Sequence, residues 1–180
     1  MSRLRTLLGW IALVLLMLAA GCSKKDDAGP AVDPPLLAFL SQARALHHEA
    51  NVHEAAGEPA RAVAALERLV SGPKPHPERT VPEVEEVLSD TYARLGELRL
   101  QSGSLDAAAA AIQEGLSHAK EPTYFRGHLF EVSGIIEEAR ATSLADAGRA
   151  DDAKRARERA LTLLHEAVEI QNKVITDKAP

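Results

Sequence analysis

Residues 91–122 read TYARLGELRLQSGSLDAAAAAIQEGLSHAKEP. Val84, Leu88, Tyr92, Leu95 and Leu98 recur at intervals of three and four, which predicts a helix running to about Ser102. Beyond Gly103 the sequence turns alanine-rich, with Ala108, Ile112 and Leu116 on one side of a second helix, Leu105 to His118. A glycine between two such stretches reads as the turn of a helical hairpin.

The same punctuation occurs three times. Gly57, Gly103 and Gly148 stand 46 and 45 residues apart, and each is followed five residues later by alanine, at Ala62, Ala108 and Ala153. An internal repeat of this length is the mark of stacked hairpins. The flanking helices are expected at Asp33 to about Gly57, Pro59 to Ser71, Thr123 to Ala147 and Asp151 to Thr176. Asp33 followed by Pro34 forms a helix start, Gly72-Pro73 a stop, and Thr80-Val81-Pro82-Glu83 reads as a capping box. The expectation is all-α, a helical-hairpin solenoid of about three repeats and six helices over residues 34–178.

Residues 91–122 resemble one tetratricopeptide repeat. Tyr92 stands for the first large residue, Leu95-Gly96 for the leucine-glycine pair, Gly103 for the turn and Pro122 for the closing proline. GEPARAVAALERLV and GRADDAKRARERAL resemble the turn and second helix of two more. The chain departs from the family in a period near 45 instead of about 34, in Arg99 where a packing aromatic is usual, and in Gly115 in place of alanine. Longer hairpins of the HEAT kind, or a six-helix bundle, also fit the spacing. The tetratricopeptide resemblance implies a groove lined by the first helices, carrying His47, His48, Asn51, Asp90, Arg94, Glu97, Leu100, Gln101, Glu138 and Thr142. Only Asn51 matches the carboxylate clamp that some members use, so the expected recognition is of another kind.

The first 21 residues carry Arg3 and Arg5 and then LLGWIALVLLMLAAG, an apolar stretch shorter than a membrane span of about 20 residues. This reads as an export signal. Cys22, the only cysteine, follows Ala-Ala-Gly and resembles the lipobox of bacterial lipoproteins, which implies cleavage before Cys22 and acylation, as with palmitate. Two or more acyl chains give stable anchoring. Ser23 in place of aspartate implies, by the family's sorting rule, the outer membrane, with the body facing the periplasm. Residues 23–33, SKKDDAGPAVD, read as a tether. Loss of the signal leaves 19 basic residues against 26 acidic, a net −7, which argues against nucleic acid and anionic lipid surfaces as partners.

The densest polar cluster is RALHHEANVHEA, with His47, His48, Glu49, His53 and Glu54. Glu49 and His53 form its one i,i+4 pair containing histidine, and two ligands without a third close no zinc site. No metal, no cofactor and no catalytic constellation is expected. Adjacent acids such as Glu85-Glu86 and Glu137-Glu138 diverge by about 100° on a helix. The reading is a membrane-anchored adaptor that docks an envelope protein or peptide. The alternatives are a self-associating structural lipoprotein using LTLLHEAVEI of the last helix, and a metal- or small-ligand-binding bundle.

Overall fold

A computed structural model describes residues 33–177. These form six helices and, among the described residues, no strand: α1 Pro34–Ala55, α2 Pro59–Ser71, α3 Pro82–Gln101, α4 Leu105–His118, α5 Tyr124–Asp146 and α6 Ala150–Asp177. The signal, Cys22 and residues 23–32 of the tether lie outside the described residues.

Consecutive helices pair as three antiparallel hairpins, α1/α2, α3/α4 and α5/α6, and each hairpin touches only its neighbours in the stack. Helix α3 packs on both helices of the first hairpin and α5 on both helices of the second, while α6 packs on α5 alone. This is the arrangement the 45-residue period demands, since one hairpin cannot bury both of its faces by itself.

The three turns are superimposable in their bonding. Gly57, Gly103 and Gly148 have φ of 73°, 74° and 75°. The following N–H groups of Glu58, Ser104 and Arg149 donate to the carbonyls of His53, Arg99 and Leu144, at 2.8, 2.8 and 2.9 Å. That is a Schellman closure, in which a left-handed residue lets the chain satisfy the last helical carbonyls. Five residues on, Ala62, Ala108 and Ala153 are at most 1% exposed, so a larger side chain there would force the paired helices apart.

Three apolar clusters hold the stack. Phe39, Ala43, Leu46, Leu69, Val84 and Leu88 join the outer ends of the first hairpin and α3. Ala50, Ala62, Ala65, Leu66, Leu95, Leu98 and Ala111 fill the space nearer the turns. Ala93, Ala108, Ile112, Leu129, Val132 and Ile136 bind the second hairpin to the third.

The start of α3 differs from the expected capping box. The helix begins at Pro82, its N-cap is Val81, and no side chain caps it. Proline suits the first helical position because its missing N–H would be unpaired there. Val81, 3% exposed, is drawn into the first cluster, which leaves Thr80 one residue too early to cap. The proline-rich loop before it is secured instead by two side chains. Lys74 donates from Nζ to the carbonyls of Leu69, Val70 and Gly72 at the end of α2, at 3.3, 2.7 and 2.6 Å. His76, at φ 51°, places Nε2 2.8 Å from Oδ2 of Asp33, whose Oδ1 accepts the Leu36 N–H at the start of α1.

Candidate functional site

The first helices of the hairpins, α1, α3 and α5, bring much of the expected groove together. On α3, Arg94 donates to the Glu54 carboxylate on α1 and, at 2.8 Å, to Glu97 one turn on. Glu97 in turn lies 3.4 Å from Nε2 of His128 on α5, and His128 Nδ1 lies 3.6 Å from Glu131. A continuous row of charges thus crosses three helices. Tyr124 stacks on His128 with ring centres 6.1 Å apart.

Beside this row Leu100, Val132 and Ile135 form the apolar side of a pocket of about 240 Å³, which Arg94, Glu97, Gln101, His128 and Glu131 complete. Ile135 is 41% exposed, an uncovered isoleucine on a helix face otherwise occupied by charge. Leu100 is half-buried and packs against the third cluster, so it is a wall of the pocket and not a free anchor.

At the other end of the groove, His47 sits over Thr91. The Thr91 hydroxyl donates to the Val87 carbonyl at 2.6 Å, so its oxygen accepts from Nε2–H of His47 at 2.9 Å. That assigns the tautomer, and burial, opposed by Asp90 and reinforced by Arg94, lowers the His47 pKa below its ordinary value. The Asp90 carboxylate lies 4.0 Å from Nδ1.

His48 and Asn51 are exposed on α1. Glu138 and Thr142 are exposed on α5, one and two turns beyond Ile135 and outside the pocket lining, and the Thr142 hydroxyl donates back to the Glu138 carbonyl at 3.2 Å. Sequence reasoning passed over His128, Glu131 and Ile135. Their signal was present: each falls on the same face of α5 as Glu138 and Thr142, at spacings of three, four and seven.

The histidine cluster of α1 is dispersed among separate partners. Glu49 accepts from Arg68 at 2.5 Å, His53 bonds Glu58 at 2.8 Å, and Glu54 belongs to Arg94. Among the described residues no group of three histidine or acidic side chains is placed to hold a metal ion. A larger cleft, about 550 Å³, opens between the start of α3 and the α4–α5 loop. Its histidine and Glu85 are already joined, His118 Nδ1 to Oε2 at 2.7 Å, with Tyr92 stacked on the imidazole at 5.7 Å.

The Glu97–His128 pair makes the groove sensitive to pH. Bonding to Glu97 holds the His128 imidazole above its ordinary 6.5, against burial, with Glu131 adding to the effect. Bonding to His128, and then to Arg94, holds Glu97 below its ordinary 4.5. A raised histidine pKa contributes stability that is whole below 6.5 and fades as pH rises through the folded-state value. A urea midpoint series from pH 5 to 9 is therefore expected to show a fall above pH 6.5 that is smaller in His128→Gln. Identical pH profiles for the two chains would remove His128 from this role.

No helix among the described residues is long and apolar enough to cross a membrane. No protein-family model matches the chain, and no curated protein matches it.

Proposed function

We propose that the chain is a bacterial lipoprotein, held at the outer membrane through acylated Cys22 and facing the periplasm, whose tetratricopeptide-like hairpins dock a segment of another envelope protein. The observation that carries the docking is the pocket between α3 and α5. An apolar wall of Leu100, Val132 and Ile135 adjoins a row of fixed charges, the combination of anchor site and orienting rim found where one side chain dominates recognition.

The charge of the groove selects the partner's chemistry. Glu54, Asp90, Glu97, Glu131 and Glu138 stand along it, against Arg94 as the one arginine or lysine among the residues named here. A fitting segment presents one leucine- or phenylalanine-sized side chain to the pocket and lysine or arginine to the carboxylates on either side. The tether keeps the domain near the membrane and so raises its concentration against other membrane-held partners.

Photo-crosslinkers placed in living cells at Asn51, Gln101 and Ile135 test this. One specific adduct is expected from Gln101 and Ile135, lost when Ile135→Glu is combined with a crosslinker at Gln101, while labelled palmitate enters the parent chain and not Cys22→Ser. Absence of any adduct from all three positions would sink the groove as a docking site. Palmitate in the Cys22→Ser chain would sink the anchor.

A further inference from the structure

One proton on His128 decides the charge of the docking pocket. The two ring nitrogens face two different carboxylates, Nε2 at 3.4 Å from Glu97 on α3 and Nδ1 at 3.6 Å from Glu131 one turn on along α5. A charged imidazole carries two N–H donors and serves both carboxylates at once, whereas a neutral one carries a single N–H and serves only one. Glu97 keeps Arg94 as a second partner at 2.8 Å, and Arg94 also donates to Glu54 of α1. Glu131 has no cation besides His128 among the described residues.

The other elements packed on α5 bring no charge to the ring. Helix α4 meets it through Gly115 at Leu129, and α6 through Ile170 and Gln171 at Gly127. The ion pairs these helices make with α5, Arg140 with Asp106 and Arg159 with Glu137, lie more than two turns beyond His128. Arg126 is turned away to the Ala119 carbonyl at 2.6 Å, and Tyr124 stacks on the imidazole. The charged lining of the pocket is therefore Arg94, Glu97 and Glu131 besides His128. It is electrically neutral with the imidazole charged and carries one net negative charge with the imidazole neutral.

We infer that His128 is a built-in cation that gives up its proton when a basic side chain of the docked segment takes its place at Glu131, so that docking tightens on deprotonation and loosens on acidification. The inference rests on the docking reading above and adds how docking is regulated. A lysine or arginine brought to Glu131 repels the imidazolium and takes over the carboxylate that Nδ1–H had held, and the proton leaves to water. By reciprocity, a bound basic segment weakens the hold of His128 on its proton by the same factor by which deprotonation strengthens the hold on the segment. In the free chain the two carboxylates keep the proton on His128 above its ordinary 6.5, which places the change in the neutral to mildly alkaline range. The Glu131 side chain is 48% exposed, so the coupling belongs at the low end of the ordinary range, about fivefold.

Permeabilised cells carrying the photo-crosslinker at Gln101, rebuffered between about pH 5.5 and 8.5 before irradiation, test this. The parent chain is expected to give an adduct whose yield rises about fivefold across the range. His128→Gln, uncharged throughout, is expected to hold the yield near its upper level at every pH, and His128→Lys near its lower level. Glu131→Gln, an isosteric change at an exposed position, removes the contested carboxylate and is expected to flatten the profile as well. A flat profile in the parent chain, or one equally steep in His128→Gln, overturns the inference and leaves docking standing, since an adduct has formed. No adduct at any pH is the failure of docking itself, and the inference falls with it.

Discussion

Leu66→Ala is expected to lower the unfolding free energy by about 3–5 kcal/mol, toward the upper part of the range for a buried leucine. Leu66 is 0% exposed and lies in the cluster that joins the first two hairpins. Its neighbours there include Ala50, Ala62, Ala65 and Ala111, whose methyl groups are fixed to helix backbones and have no rotamer with which to move inward. The cavity left by the missing isobutyl group therefore stays open, and the loss of transfer free energy is joined by the full cavity cost. Chemical denaturation followed by circular dichroism measures the change. A loss below about 1 kcal/mol would mean that the hairpins slide together to fill the space, and that the stack is softer than its alanine-lined contacts imply.

The second large effect sets two terms against each other. Gly115→Ala in the middle of α4 gains about 1 kcal/mol of helix propensity. The new Cβ, however, would stand 2.5 Å from Leu129 Cδ2 and 3.0 Å from Tyr92 Cβ. Leu129 is 0% exposed and enclosed by the third cluster, and Tyr92 Cβ is fixed directly to the backbone of α3. Leu129 must turn within a filled cluster and Tyr92 Cβ yields only if α3 or α4 shifts, and overpacking of this kind costs about 1–3 kcal/mol. A net destabilisation of about 1–2 kcal/mol is expected, read as a lower melting midpoint. Gly96→Ala is the internal comparison, because its new Cβ would meet only outer side-chain atoms, Ile112 Cδ1 at 2.6 Å, Ile112 Cγ1 at 3.1 Å and Val132 Cγ1 at 3.5 Å, and no Cβ fixed to another helix. A Gly115→Ala chain more stable than the parent would show that α4 does not approach α3 and α5 as closely as described.

Gly115 is also where the departure from the tetratricopeptide pattern acquires a physical cause: α4 comes so near Leu129 that even a methyl group is too large. Arg99 explains itself in the same way. In place of a packing aromatic, its guanidinium spans α2 and α4, donating to Glu67 at 2.8 Å and to the Ala107 carbonyl at 3.2 Å.

Helix positions were legible because they are written in local chemistry. Pro59 opens α2, Gly72-Pro73 stops it, and the three turn glycines adopt the left-handed conformation that a side chain resists. The error at Thr80 came from the same source, since a local capping pattern was outweighed by burial of Val81, a term set by α1 and α2.

By itself, then, the sequence determined the number of helices, their bounds within a residue or two and the faces they turn inward, all consequences of periodicity and of proline and glycine stereochemistry over a few residues. Only the tertiary structure decided which polar groups meet. Glu54 and Arg94 are 40 residues apart, and Glu97 and His128 belong to different hairpins, so the row of charges beside the Leu100–Ile135 pocket exists only once the hairpins stack. The exposure of Leu161, Val168 and Ile175 was decided there too: periodicity shows that a helix has apolar residues on more than one side, but which side finds a neighbour depends on where the stack ends.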